Sequence, residues 1–529
     1  MNKENNDIAL FKKTISSMVI RKISYYRVIV SLCLFMFLLS PVFGDENSAV
    51  SFDKELSENN IVTIQPDSLR ILHNPLTGWV LYASMGVDAA DFWAQYDHMY
   101  IPELGHNVSV TDYAHTLYIR ASWTDFNPQE DVYGWKIDSN LRAYIEGAYQ
   151  RNMRLAFRVV VDSRDKRTEF TPQFVKDAGA KGFMNKGKWS PYSDDPVFQK
   201  YYTKFVKALA KDFNDPSKVE FIDGFGLGKW GEYHTMIYST GDDTPKKAVF
   251  NWVTDIYSQA FDKVPVVINY HRWIGAGKDW VDDEHFAADS EEMLEEAIKK
   301  GYSLRHDAFG MTTYYGSWER RFAEKYRNIC PIIMEGGWIV KSHNYWQDPH
   351  EDVRRGEFDD SKEAHVNMMD FRFGDTKSWF KDAFDLVRRF LREGGYRLYP
   401  SEISLPLEVS KKTPPTIKHC WNNLGWYCPT NIPQWNQKYK VAFALLDSET
   451  NEVRYTFVDT DTDLSKWIKG SPAEYVFEPD MSKVETGTYV WAVGLVDRSN
   501  KDLVGLDIAA KGDILDSGWL KLSKVSIKK

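Results

Sequence analysis

The chain has 529 residues, 43% of them hydrophobic and 15% aromatic, with a formal net charge of −9. That length suits one large domain plus a smaller one, and the acidic balance argues against a nucleic-acid partner, because phosphate recognition rests on basic patches. Four cysteines with no CxxC or zinc-finger spacing exclude a cysteine-built metal fold.

Arg21, Lys22 and Arg27 precede an apolar run over residues 28–39, VIVSLCLFMFLL, which closes on Ser40, Pro41 and Gly44. A basic start, a short apolar stretch and a small residue at its end read as a secretory signal peptide over residues 1–44, so this segment is set apart from the fold. The run is too short for a comfortable membrane span. Cys33 lies inside it rather than behind a small residue at its end, which gives no support to a lipoprotein anchor; an uncleaved anchor is the alternative. The mature chain is expected to be secreted or periplasmic, with no stable membrane span. Residues 45–67 are polar and read as a flexible arm. In an oxidising compartment Cys420 and Cys428 can pair within their turn-rich stretch, leaving Cys330 in a buried strand.

From residue 68 to about 402, short apolar runs alternate with helical stripes. Strands are expected over 78–85 (GWVLYASM), 115–122 (HTLYIRAS), 154–162 (RLAFRVVVD), in the central stretch 219–234 (VEFIDGFGLGKWGEYH), and over 265–271 (PVVINYH), 304–311 (LRHDAFGM), 330–336 (CPIIMEG) and 396–399. Helices are expected over 138–151, 246–261, 290–300 and 377–392. Another opens at Asp195-Pro196 with an apolar stripe at Phe198, Tyr201, Tyr202, Phe205, Leu209 and Phe213. Eight strands separated by amphipathic helices make an α/β fold, the (β/α)8 TIM barrel.

The fourth strand runs into Gly224, Gly226 and Gly228 and then into KWGEYH, which sets Glu232 where a buried strand ends. In such a barrel, ligands lie at the carboxyl ends of the strands, and glycines let backbone approach them closely. Glu335 ends the seventh strand in the same way, followed by two glycines and Trp338. Cleaving a glycosidic bond takes one carboxyl group to protonate the leaving oxygen and a second to attack the anomeric carbon or direct water at it. Glu232 reads otherwise as a loop acid paired with Lys229 or His234.

Acids at the ends of strands four and seven, together with YIRASWTDFNPQEDVYGWKID after strand two, resemble the retaining glycoside hydrolases of clan A. HNPLTGW, KWGEYH, LRHDAFG and the C-terminal sheets also resemble a less characterised family of secreted bacterial barrel-plus-sandwich proteins classed as glycosidase-like. The resemblance implies that Glu232 is the general acid/base and Glu335 the nucleophile. It implies that Arg120 on strand two, or Tyr314 or Tyr315 after strand six, holds Glu335 charged. Clan A usually carries Asn immediately before the strand-four acid. Here that position is Gly231, and Asn269 at the end of strand five is the available substitute.

His234, His271, His306 and Asp307 fall at strand ends, placed to bond sugar hydroxyls or, with Glu232, to ligate zinc. No HxH or HExxH pair anchors a metal, so neither metal nor cofactor is expected. Arg305 and Asp307 read equally as a barrel-end ion pair. Trp79, Trp123, Trp273 and Trp338 offer flat faces to a sugar ring, or fill core. From about residue 403 helical periodicity stops. Alternating strands over 439–446, 453–458, 474–478 and 487–496 read as an immunoglobulin-like β-sandwich extending to residue 529.

The expectation is a secreted glycoside hydrolase that cleaves β-linked poly- or oligosaccharides by a retaining mechanism. The partner expected is a carbohydrate and not nucleic acid, with the oligomeric state open. The alternative is a non-catalytic glycan-binding protein on a glycosidase-like barrel, with a metal-dependent hydrolase third.

Overall fold

The computed structural model describes residues 59–83, 85–164, 168–281, 283–309, 314–337, 353–372, 374–426 and 432–529. The expected signal peptide, Trp338 and Cys428 lie outside the described residues, so the Cys420–Cys428 pairing does as well.

Eight parallel strands close into a barrel: Gly78–Tyr82, Ala114–Ser122, Arg154–Val160, Val219–Asp223, Val266–Asn269, Ser303–Phe309, Ile332–Gly336 and Met368–Asp370. They pair in sequence order, and the eighth closes on the first through Met368 opposite Gly78 and Asp370 opposite Val80. The expected (β/α)8 barrel is therefore the observed fold, with helices packed around it.

The helix Pro196–Phe213 illustrates why these elements form. Asp195 caps it by accepting from the Phe198 N–H at 2.8 Å, and Pro196 supplies a pre-set φ at its first turn. Its stripe of Phe198, Tyr202, Phe205, Leu209 and Phe213 is buried against the barrel. The HNPLTGW motif closes the bottom of the barrel: Leu76 is fully buried at φ +49°, and its N–H donates to Glu220 at 2.5 Å.

Three expectations are corrected. The eighth strand is Met368–Asp370, not 396–399; the run Leu398–Pro406 leaves the barrel for a C-terminal sheet. Three residues of Met-Met-Asp carry no β-branched signal, whereas LYPSEISLP alternates clearly. The helix expected over 377–392 is two, Thr376–Asp382 and Phe384–Glu393, broken where Ala383 takes φ −143°. Part of the expected flexible arm is also ordered: Asn59–Thr63 pairs antiparallel with Leu398–Pro406, because its alternating NIVT run fits an open sheet edge.

Two C-terminal sheets follow the barrel, an arrangement consistent with the expected sandwich. One holds Asn59–Thr63, Leu398–Pro406, Ile417–Asn423 and Ala473–Phe477; the other is built around Tyr439–Asp447 and Gly487–Asp497. Phe443 of the second stacks on Phe477 of the first at 6.0 Å, and Trp491 is fully buried between them, its indole N–H donating to Pro406. Sandwich and barrel are tied directly. The Trp426 indole donates to Val366 at 2.7 Å, and Asn74 exchanges two hydrogen bonds with the backbone of Asp507.

Candidate active site

The loop after strand four is where the backbone departs furthest from ordinary geometry. A Cβ on Gly226 would lie 2.2 Å from the Val159 carbonyl, and one on Gly224 2.2 Å from Val266 Cγ1, so neither position tolerates a side chain. Trp230, Gly231, Tyr233 and Thr235 then take φ of +63°, +78°, +64° and +47°. For non-glycine residues such backbone costs about 1–3 kcal/mol each and persists only where surroundings enforce it. The enforcement is visible. Arg120 Nη2 donates to the Trp230 carbonyl at 2.8 Å, His271 Nε2 to the Glu232 carbonyl at 2.9 Å, and the Tyr233 N–H to Leu227 at 2.9 Å. The strained turn aims the Glu232 side chain inward, where the residue is 8% exposed.

Glu335 ends strand seven and is 6% exposed. Two guanidinium groups with no solvent exposure link the acids. Arg158, from strand three, contacts Glu232 through Nη1, holds Asp223 at 2.6 Å and lies 4.0 Å from Glu335 Oε2. Arg305, from strand six, places Nη2 2.8 Å from Glu335 Oε2 and 2.7 Å from Asp370 Oδ2, with Nε 3.4 Å from Asp223. Burial works against the charge on these arginines. The acids around them outweigh it, and both stay firmly protonated.

Asp307 from strand six completes the constellation, accepting from Asn269 Nδ2 at 2.8 Å and lying 3.8 Å from Arg158 Nη2. The carboxyl of Glu232 is pushed well above the usual range, first by burial and then by the charge of Asp307, which together exceed the pull of Arg158 and Arg120. Burial also acts on Asp307, but Arg158, its bond with Glu232 and Arg305 overcome it and hold its carboxyl below the usual range. Burial raises Asp370 to about 6 against the pull of Arg305. Neighbouring carboxyls with pKa values driven apart are what a site combining acid and ionised roles requires.

The remaining expected residues divide by position. His234 stacks on His271 at 3.8 Å, with Asp279 Oδ2 2.9 Å from Nδ1 and Tyr314 Oη 2.7 Å from Nε2. Asn269, His271, Asp307 and Tyr314 thus join Glu232 and Glu335. Arg120 is nearby, but it donates to the Trp230 carbonyl; Arg305 is the arginine on Glu335, and it pairs there and with Asp370 instead of forming the barrel-end pair with Asp307. Tyr315 turns away, stacked on Phe309 at 4.2 Å and under the Arg320 guanidinium. Trp123 is fully buried against Phe198, Tyr202 and Phe205, a packing position outside the barrel rather than a sugar platform. Trp79 likewise fills core, stacked on Phe371 at 4.3 Å.

Arg158, Asp223, Asp370 and Arg372 were not picked out from the sequence. Arg372 follows strand eight, donating to the Gly336 carbonyl at 2.8 Å with Nη1 3.8 Å from Glu335 Oε1. The signal for Arg158 was a charge inside an otherwise apolar strand, a residue that is seldom buried unless it has partners. Ligand atoms of Glu232, His234 and Asp307 come within 4.8 Å of one another, the spacing of a metal site. Arg158 already occupies Glu232, and its fixed charge opposes a cation there.

No protein-family model matches the chain, and no curated protein matches it. Among solved structures it is similar to an exo-β-1,4-mannosidase from Opitutaceae bacterium strain TAV5, at 12% identity over 60% of this chain and TM-score 0.35; the chain spans 59% of that protein's length. It is similar to an endo-β-1,4-mannanase from Thermotoga petrophila at 13% identity, covering 86% of this chain and 98% of that one, with TM-score 0.38. It is also similar to endo-glycoceramidase II from Rhodococcus sp. at 13% identity, covering 79% and 99%, with TM-score 0.36. Likenesses this loose carry no argument about chemistry.

Proposed function

We propose that the protein is a secreted glycoside hydrolase that cleaves β-linked poly- or oligosaccharides with retention of anomeric configuration. The observation that carries this reading is the single nitrogen Arg158 Nη1, in contact with Glu232 and 4.0 Å from Glu335. A hydrogen bond plus 4.0 Å is the most that can separate their nearer oxygens, which favours the retaining spacing of about 5–5.5 Å over the inverting one of about 6.5–9.5 Å.

Glu232, protonated through burial, donates to the glycosidic oxygen as the bond to the anomeric carbon breaks. Glu335 attacks that carbon, its Oε2 held 2.8 Å from Arg305 Nη2. Glu232 then takes a proton from the water that releases the sugar from Glu335. The basic leader and apolar run over residues 21–39 support export.

The test is hydrolysis of a panel of aryl glycosides and β-linked polysaccharides by the wild type, Glu232→Ala and Glu335→Ala. Both substitutions are expected to abolish turnover, with azide rescuing Glu335→Ala to a glycosyl azide of inverted configuration. A wild type that binds glycan on an affinity gel yet cleaves nothing would replace this reading with that of a glycan-binding barrel.

A further inference from the structure

Among the described residues Trp280 is the one exposed tryptophan, with 49% of its surface open. Leaving an indole in water forgoes the gain of burying it, and the backbone beneath this one stands at φ +63°, a conformation that bulky L residues seldom adopt. Strain of that kind persists only where neighbours enforce it. Both chain neighbours of Trp280 are tied down. Asp279 accepts from the Thr235 N–H at 3.1 Å and the Thr235 hydroxyl at 2.9 Å, with its Oδ2 2.9 Å from His234 Nδ1. The Val281 carbonyl takes the Trp273 indole N–H at 2.8 Å. The loop is thereby fastened to the turn that carries Glu232.

The ring itself is backed by buried aromatics, Trp273 at 4.8 Å and Tyr314 at 5.2 Å between centroids. Trp273, expected to offer a face to sugar or to fill core, is thus the support and Trp280 the face. Trp280 also lies nearly parallel to His234, 9° between planes and 6.2 Å between centroids, and His234 stacks in turn on His271. A ring nitrogen of His234 comes within 4.8 Å of a Glu232 carboxyl oxygen. One imidazole therefore separates the exposed indole from the acid.

We propose that Trp280 is a carbohydrate-stacking platform that receives the sugar on the leaving-group side of the bond Glu232 protonates, so that the substrate is a β-linked chain and not a lone glycoside. This rests on the reading of Glu232 as the proton donor. The C–H face of a pyranose ring is flat, apolar and slightly positive, and the indole face is flat, apolar and slightly negative. A ring already fixed by its supports loses little freedom when a sugar settles on it. The side follows from the construction. Glu232 gives its proton to the oxygen of the leaving sugar, and Trp280 is built on that acid's own turn through Asp279 and His234. The groups that hold Glu335, Arg305 and Arg372, come instead from strand six and from the end of strand eight.

Calorimetric titration tests this with cellohexaose, mannohexaose, xylohexaose and laminarihexaose, added to the full chain carrying Glu335→Ala so that nothing is consumed. Adding Trp280→Ala should raise Kd for the hexaose that binds best by about tenfold or more, and Trp280→Tyr should keep most of the affinity. In the chain with Glu335 intact, Trp280→Ala should raise KM on that hexaose more than it lowers kcat. On the matching glycosyl fluoride, which carries no leaving sugar, the loss should be smaller. Unchanged hexaose affinity in a folded Trp280→Ala protein, equal losses on hexaose and fluoride, or no binding of any of the four hexaoses would overturn the proposal. If affinity depends on Trp280 yet no hexaose is cleaved, the platform stands as a glycan-binding face and the hydrolase reading fails. If cleavage proceeds and affinity ignores Trp280, the hydrolase reading stands and the platform falls.

Discussion

Arg305 Nη2 lies 2.8 Å from Glu335 Oε2, and neither group is more than slightly exposed, so a guanidinium charge is held against this acid in the barrel wall. The same nitrogen holds Asp370 at 2.7 Å. Replacing Arg305 by Met should therefore leave two buried acids without their cation, costing about 3–5 kcal/mol. Urea unfolding checks this; a loss below about 1 kcal/mol would mean the cluster is solvated in the folded protein.

Asp370 supplies a pH signature. Burial raises its pKa from 3.8 to about 6, so the folded chain binds this proton more tightly than the unfolded one. Its contribution is present in full below the unfolded value and is lost as pH rises through about 6. At about 1.4 kcal/mol per unit, the wild type should lose roughly 2–3 kcal/mol of stability relative to Asp370→Asn between pH 4 and pH 7. Denaturant midpoints of the two proteins across that window measure it, and parallel curves would contradict it.

Trp123 separates packing from recognition. With its ring fully buried among Phe198, Tyr202 and Phe205, Trp123→Ala should cost about 3–5 kcal/mol of stability and leave glycan affinity per folded molecule unchanged. Calorimetry paired with affinity electrophoresis reads the two effects independently.

Gly226 tests whether the loop geometry matters to turnover. A methyl group there would meet the Val159 carbonyl at 2.2 Å while φ stands at +78°. Gly226→Ala should displace the turn that carries Glu232, lowering kcat by an order of magnitude or more with a smaller change in KM, since misplacement by about 1 Å can cost ~100-fold. An unchanged kcat would show that the turn does not set the position of the acid.

Much of this site could be read from residue order because the barrel puts function at strand ends. Glycines after VEFID and after IIME marked Glu232 and Glu335, and the alternation of apolar runs with helical stripes placed the strands that carry them. What escaped was the interior charge. RLAFRVVV reads as an apolar strand, yet Arg158 points into the barrel and becomes the hub on which Asp223, Glu232 and Glu335 converge. Its partners come from other strands at sequence distances no local pattern records. The eighth strand escaped because Met-Met-Asp gains its strand character only from pairing with Gly78–Tyr82 and Ile332–Gly336. The flat face of Trp123 was ambiguous for the same reason: whether a ring meets solvent or helix is decided by the tertiary fold.

The most direct measurement is covalent trapping. A 2-deoxy-2-fluoro β-glycoside with a good leaving group would be incubated with the protein, which is then digested and its peptides weighed. A retaining mechanism puts one added glycosyl mass on the peptide containing Glu335, and none on that peptide in Glu335→Ala. Adduct on Glu232, or steady hydrolysis of the parent glycoside with no adduct at all, would contradict it.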